Sequence, residues 1–218
     1  MLPWLRAKAD PYQHLPLATL GLMVANMIVY LGLAIGYEFS IWNIFVPSEE
    51  ALTTWGQDNR AIMEEGQILR LGTAMFVHAH IIHLASNMLF FFAFGLRLEE
   101  LRSSSELLTI YFASGIVGNL LTLLWGLDYL SVGASGAVFG VFGANLMFLR
   151  RHYQRQMRTA LFIAFIFFTI TISVDTNVLA HAGGLGTGLL LGYSLDRQSP
   201  SSQPFRARQR PRRKRRIS

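Results

Sequence analysis

Six stretches of this chain run 16 to 26 residues without a charged side chain, and that spacing constrains the fold more than any other feature. They are Leu17 to Gly36, Leu71 to Leu96, Leu107 to Leu127, Tyr129 to Leu149, Thr159 to Val174 and Thr176 to Leu195. A helix rises about 1.5 Å per residue, so about 20 apolar residues cross a hydrocarbon core about 30 Å thick. The fifth stretch is the shortest and needs Gln156 and Met157 to reach the interface. The pattern predicts an all-α, polytopic membrane protein with a bundle of six transmembrane helices. Composition agrees, with 52% hydrophobic and 15% charged residues, where soluble domains carry about 25% charged.

Six spans put both termini on one side, and the basic residues say which. Short cytoplasmic segments carry the Lys/Arg excess. Seventeen of the 19 basic residues fall on the side of the termini, and only Arg60 and Arg70 fall on the other. Both termini are therefore expected in the cytoplasm. The first span could serve as a signal peptide, but it is long for one and no convincing cleavage site follows. The expected organisation is a cytoplasmic segment over 1–15, a membrane domain over 16–196 with an external first loop at about 37–70, and a basic, disordered cytoplasmic tail over 197–218. The first loop mixes Phe39, Trp42, Phe45 and Trp55 with Glu38, Glu49, Glu50, Glu64 and Glu65. That composition suits a segment lying in the membrane interface or a partly ordered hydrophilic loop. The formal charge of +6 comes from the tail, whose nine basic residues no acid follows. The rest of the chain is net acidic, which argues against nucleic acid as a partner. The tail itself is expected to bind anionic lipid, at ~1 kcal/mol per basic residue near the surface. With no cysteine, disulfides, Cys nucleophiles and Cys zinc sites are excluded.

Polar groups inside a membrane are expensive and mark function. Here they are few: His78, His80, His83, Ser86 and Asn87 in the second stretch, Ser135 in Gly133-Ala134-Ser135-Gly136, and His181 in Ala180-His181-Ala182-Gly183-Gly184. A serine hydroxyl becomes a useful nucleophile when an imidazole takes its proton. Counting from the first charged residue at the inner face, Ser135 and His181 both lie 15 residues away, or about 22 Å of helix rise. On the same scale His83 lies at about 21 Å and Asn87 at about 15 Å. Ser135 and His181 should share a level several Å below the outer surface, in a site that water enters from outside. Gly136, Gly140 and Gly143, with Gly184, Gly188 and Gly192, are small-residue stripes that let helix backbones approach closely. His181, three residues before Gly184, lies on the face of its stripe.

These residues carry a resemblance. Gly133-Ala134-Ser135-Gly136 with Gly140, His181 followed by Gly184 and Gly188, and His78-x4-His83-x3-Asn87 resemble the signature motifs of the rhomboid family of intramembrane serine proteases. The likeness covers roughly residues 60 to 196, with three motifs in the family's order on three spans. It implies a six-span rhomboid-like bundle and a catalytic dyad of Ser135 as nucleophile and His181 as general base and then acid. It further implies an oxyanion site at His83 and Asn87 with the backbone N–H of Ser135, and packing of Phe139 on the catalytic imidazole. His78 matches a further motif histidine with a structural or water-holding role. His80 lies outside the match and is taken as an interface residue. Arg70 aligns with the Arg of a Trp-Arg loop motif, although Leu69 stands where the Trp is expected.

The expected activity is an intramembrane serine endopeptidase that cleaves transmembrane segments near the outer face. Its partners are single-span or polytopic membrane-protein substrates and the lipid bilayer, and its expected location is a bacterial plasma membrane. Entry between the second and fifth spans is what the resemblance implies, and Phe162, Phe165, Phe167 and Phe168 suit either a movable gate or a lipid-facing surface. Asp175 lies too far outward to complete a triad and, with Thr176 and Asn177, is expected to cap the sixth helix. No cofactor or metal is expected, since His78 and His83 are five residues apart and His181 is otherwise engaged. The competing readings are a non-proteolytic relative that binds or remodels membrane proteins, and a transporter or channel. A relative without activity usually lacks the Ser or the His. A transporter would spread ionisable groups over several depths.

Overall fold

The computed structural model describes residues 15–37, 44–152, 162 and 176–198. Its long helices are α1 (Leu17–Gly36), α5 (Ile81–Leu101), α6 (Ser104–Thr122), α7 (Ser135–His152) and α8 (Val178–Gln198). Three short helices, α2 (Glu49–Trp55), α3 (Asn59–Glu65) and α4 (Arg70–Thr73), lie in and after the first loop. Helices α1, α5, α8 and α6 with its 3-10 extension Leu123–Trp125 are long and apolar enough to cross a membrane, and α7 is shorter, its apolar part running over Ser135–Leu149. Five of the six charge-free stretches therefore hold a long helix. The fifth, with Phe165, Phe167 and Phe168, lies outside the described residues apart from Phe162, as do both terminal segments.

Two stretches are not single spans. The second breaks into α4, a 3-10 turn at Ala74–Phe76 and an extended segment before α5 begins at Ile81. The fourth opens on a loop, and α7 begins only at Ser135. His78 and His80 thus precede the helix on which the sequence placed them. An apolar run measures the ease of leaving water, not helical continuity. His80 has extended backbone, and its Nδ1 accepts the His83 N–H at 3.0 Å. It is the N-cap of α5, a role the sequence reading missed.

The first loop is ordered where it is described. Asp58 caps α3, Gly66 ends it with φ 72°, and β1 (Gln57–Asp58) pairs antiparallel with β2 (Leu130–Ser131), Gln57 opposite Ser131. This two-residue ladder is the one departure from an all-α fold among the described residues. Buried amides tie the loop to the C-terminal end of α6. Gln57 Nε2 donates to the Asn119 carbonyl at 2.8 Å, and Asn59 Nδ2 donates to the Thr122 and Gly126 carbonyls at 3.0 and 2.7 Å. Arg70 Nη1 donates to the Thr53 and Gly56 carbonyls at 2.6 and 3.0 Å. Arg70 therefore braces the loop, while Leu69 is 81% exposed and braces nothing.

At the end of the bundle where α1 begins, the helices meet through charged caps. Glu99, near the end of α5, accepts from the Ala18 and Thr19 backbone N–H groups at 3.0 Å and from the Thr19 hydroxyl at 2.7 Å. It supplies the cap that α1 lacks in its own sequence. Ser103 and Glu106 form a reciprocal capping box on α6. Arg102 bonds Glu106 at 2.5 Å and the Leu195 carbonyl at 3.2 Å, closing α6 onto α8.

Between these ends α7 sits centrally, against α5, α6 and α8. Its contact with α5 is aromatic, Phe94 meeting Phe142 at 5.0 Å between ring centroids, while toward α6 Gly140 leaves the room that Ser114 occupies. Its contact with α8 is glycine on glycine. A methyl group at Gly184 would collide with the Gly136 carbonyl, and one at Gly188 with the Gly140 carbonyl. At Gly192 the added carbon would stand 2.8 Å from Ala144 Cα. The stripes seen in the sequence are therefore rungs of one backbone seam.

Candidate active site

Ser135 is the first residue of α7, and the turn that delivers it depends on Gly133. That residue has φ 124°, where side chains are strained, and its N–H donates to the Ala74 carbonyl at 2.9 Å. An added Cβ there would lie 2.8 Å from His83 Cε1 and 2.9 Å from its Nε2, so that edge of the imidazole occupies the space a side chain would take. Gly133 thus serves two needs, the turn into α7 and the approach of His83.

His181 sits one turn into α8, buried at 6% exposure. Its Nε2 lies 2.8 Å from Ser135 Oγ. The ring stacks on Phe139, with centroids 4.5 Å apart and planes 26° from parallel. Phe139 lies four residues after Ser135, so one helix face carries both the hydroxyl and the platform for its partner. Gly136, one residue beyond Ser135, faces the Ala180 carbonyl, and Gly184 faces Gly136, which lets the two helices touch at this level. The seam is what brings two residues 46 positions apart within hydrogen-bond reach. His181 Nδ1 is buried without a hydrogen-bond partner among the described residues. Asp175, the nearest carboxylate in sequence, lies outside them.

The remaining site residues cluster on one side of Ser135. His78 is fully buried, with Nδ1 3.3 Å from the Phe76 carbonyl, and its ring meets that of His83 edge-on at 5.1 Å. Asn87, also fully buried, donates from Nδ2 to the His83 carbonyl at 2.9 Å. An amide nitrogen has two hydrogens, so one N–H of Asn87 remains for another acceptor. The structure thus brings together Ser135 and His181 directly, Phe139 against His181, and His83 against Gly133. Gly188 lies further along the seam and acts on the site only through helix packing. Among the described residues no group of three His, Cys, Asp or Glu side chains is arranged to hold a metal.

The start of α8 carries a residue that the sequence alone marks only as part of a cap. Asn177 precedes α8, and its Oδ1 accepts the Ala180 N–H at 3.0 Å. The same carboxamide reaches Thr122, Ser131 and Trp125. Its capping role was legible from its place before an apolar run; its three other partners, on distant elements, were not.

A Rhomboid domain family model matches residues 65–198 of this chain. The chain is 36% identical over 162 residues to RHOMBOID-like protein 6, mitochondrial, of Arabidopsis thaliana, a match that covers 71% of this chain and 53% of that protein. It is 36% identical over 134 residues to the putative rhomboid protease YdcA of Bacillus subtilis, covering 59% of this chain and 67% of the other. It is 32% identical over 179 residues to Rhomboid-like protease 3 of Toxoplasma gondii, covering 77% and 65%. The chain spans about half the length of the plant relatives it matches.

Proposed function

The chain belongs to the rhomboid family, a polytopic helical membrane fold, and from that premise we propose that it is an intramembrane serine endopeptidase acting through a Ser135–His181 dyad. The observation that carries the reading is the 2.8 Å approach of His181 Nε2 to Ser135 Oγ, at the start of a helix and next to a glycine turn.

In the proposed reaction Ser135 Oγ attacks the scissile carbonyl carbon while His181 Nε2 takes its proton. The tetrahedral oxyanion needs fixed donors in a site of low dielectric. The Ser135 backbone N–H at the start of α7, the His83 ring and the second N–H of Asn87 fill that role. His181 then protonates the departing amine. Water, deprotonated by the same imidazole, attacks the acyl-enzyme carbonyl and releases Ser135. Stacking on Phe139 holds the imidazole plane through both half-reactions. His78 supports His83 from behind.

The substrate is a membrane-spanning segment that must unwind locally, since a helix shields its carbonyls. Residues of low helix propensity near the cleaved bond favour turnover. The proposal extends to cleavage near the outer face, both termini in the cytoplasm, a bacterial plasma membrane, a membrane domain over 16–196 and a tail that binds anionic lipid. The test is cleavage of a model single-span substrate by the purified protein, beside folded Ser135→Ala and His181→Ala variants. Cleavage by the parent and by neither variant is expected. Cleavage surviving in Ser135→Ala overturns the dyad. No cleavage by the parent, in lipid and in detergent, supports a non-proteolytic binding protein instead.

A further inference from the structure

The glycine seam, with Leu185 against Gly143 and Met147 against Gly192, sets α8 along α7 but makes no bond to the β2 loop that leads to Ser135. A separate element joins the start of α8 to that loop. We propose that Asn177 is that element: a positioning residue whose carboxamide locks the height of His181 to that of Ser135. The inference rests on the dyad reading above.

The carboxamide has two donor hydrogens and an oxygen with two acceptor sites, and all four are used. Oδ1 accepts from the Ala180 N–H at 3.0 Å and from Trp125 Nε1 at 3.3 Å. Nδ2 donates to Thr122 Oγ1 at 2.7 Å and to Ser131 Oγ at 2.8 Å. The residue is 9% exposed, so these partners replace water. Capping α8 needs only the bond to Ala180, and a serine would provide it. The two Nδ2 bonds do something a cap does not require, because they leave the helix for two other elements.

One of those elements, β2, leads into the turn that delivers Ser135, and the other, α6, packs against α8. Ser131 lies on β2, four residues before Ser135, and its strand is pinned to β1. Thr122 ends α6, where its hydroxyl donates to the Gly118 carbonyl at 3.0 Å and its own carbonyl accepts from Asn59. Gly118 in turn lies against the Ala180 carbonyl. On the other side His181 follows Asn177 by four residues, about one helical turn. One buried amide is thus four residues from the imidazole along α8 and one hydrogen bond from the strand that leads to the hydroxyl. Loss of the strut should let the 2.8 Å pair separate while the helices stay packed. Small misplacements of reacting groups cost rate far more than stability.

The test separates strut from cap. Asn177→Ser keeps a side-chain acceptor for the Ala180 N–H but is too short for Thr122 and Ser131, and Ser131→Ala removes one end of the strut alone. Cleavage of a single-span substrate by the full chain in proteoliposomes, with Tm measured on each variant, should show kcat about 10-fold lower or more in both, with KM unchanged. The double variant should fall no further than Asn177→Ser. Ser103→Ala, which removes the capping box at the far end of α6, is the control for stability: lower Tm, parental kcat. Parental kcat in Asn177→Ser and Ser131→Ala overturns the strut, as do losses that multiply in the double variant or a kcat loss in Ser103→Ala matching theirs. If Ser135→Ala cleaves as the parent does, or the parent cleaves nothing, the dyad falls and the strut with it. If Ser135→Ala is inactive while both strut variants keep full kcat, the strut alone falls.

Discussion

The two sides of α7 are built on opposite principles. Toward α5 it packs by bulk, with Phe94 on Phe142. Toward α8 it packs by absence, with Gly136, Gly140 and Ala144 meeting Gly184, Gly188 and Gly192 backbone to backbone. Lipid tails are as apolar as phenylalanine, so neither side gains from escaping water within the membrane; both gain from close packing. The aromatic side gains contact area and tolerates small shifts of rings. The glycine side gains proximity, and proximity is what a 2.8 Å approach between residues of two helices demands. The Ser135–His181 pair lies at this seam.

The sharpest break of this contrast is Gly188→Val. Its Cβ would collide with the Gly140 carbonyl, a backbone atom that cannot move without α7. Overpacking of this kind should cost at least about 3 kcal/mol and abolish cleavage, read by thermal unfolding in micelles and by the substrate assay. Next comes Phe94→Ala on the aromatic side, at a buried ring that meets Phe142. It should cost about 3–5 kcal/mol in stability, yet the molecules that remain folded should cleave at a rate near the parent's. Equal loss of rate per folded molecule in the two variants would erase the distinction between the sides. The finest test is Gly186→Ala. Gly186 lies two residues from Gly188 on the same helix, but nothing stands within 4 Å of an added Cβ. It should leave cleavage intact and raise stability by about 0.5–1 kcal/mol through the better helix propensity of alanine.

Much of this was open to reading from the sequence. Ser135, His181 and the four-residue spacing of the glycines were visible because hydropathy and helical periodicity are local properties. The short segments were not. Nothing in the apolar run from Leu71 to Leu96 announces that the helix begins at Ile81, because His80 caps it with a side chain that sequence reading put in the membrane interface. Likewise α1 lacks a cap of its own, and its partner Glu99 lies about 80 residues away on α5. The amides of Gln57 and Asn59 read as ordinary loop residues, although both are fully buried against the C-terminal end of α6. For Glu99, Gln57 and Asn59 the partners include backbone groups on another element, which carry no residue letter to recognise.

By itself the sequence determined that the chain spans a membrane, which polar residues fall within its apolar segments, and which helix faces are small enough to touch. These follow from transfer free energy and from the 3.6-residue period, which act within one segment. Only the tertiary structure decided that Ser135 meets His181, that His83 lies on Gly133, and that one buried amide joins both sides of the site. Such contacts depend on the relative placement of helices to within an ångström or so, and that placement is a property of all the packed surfaces together.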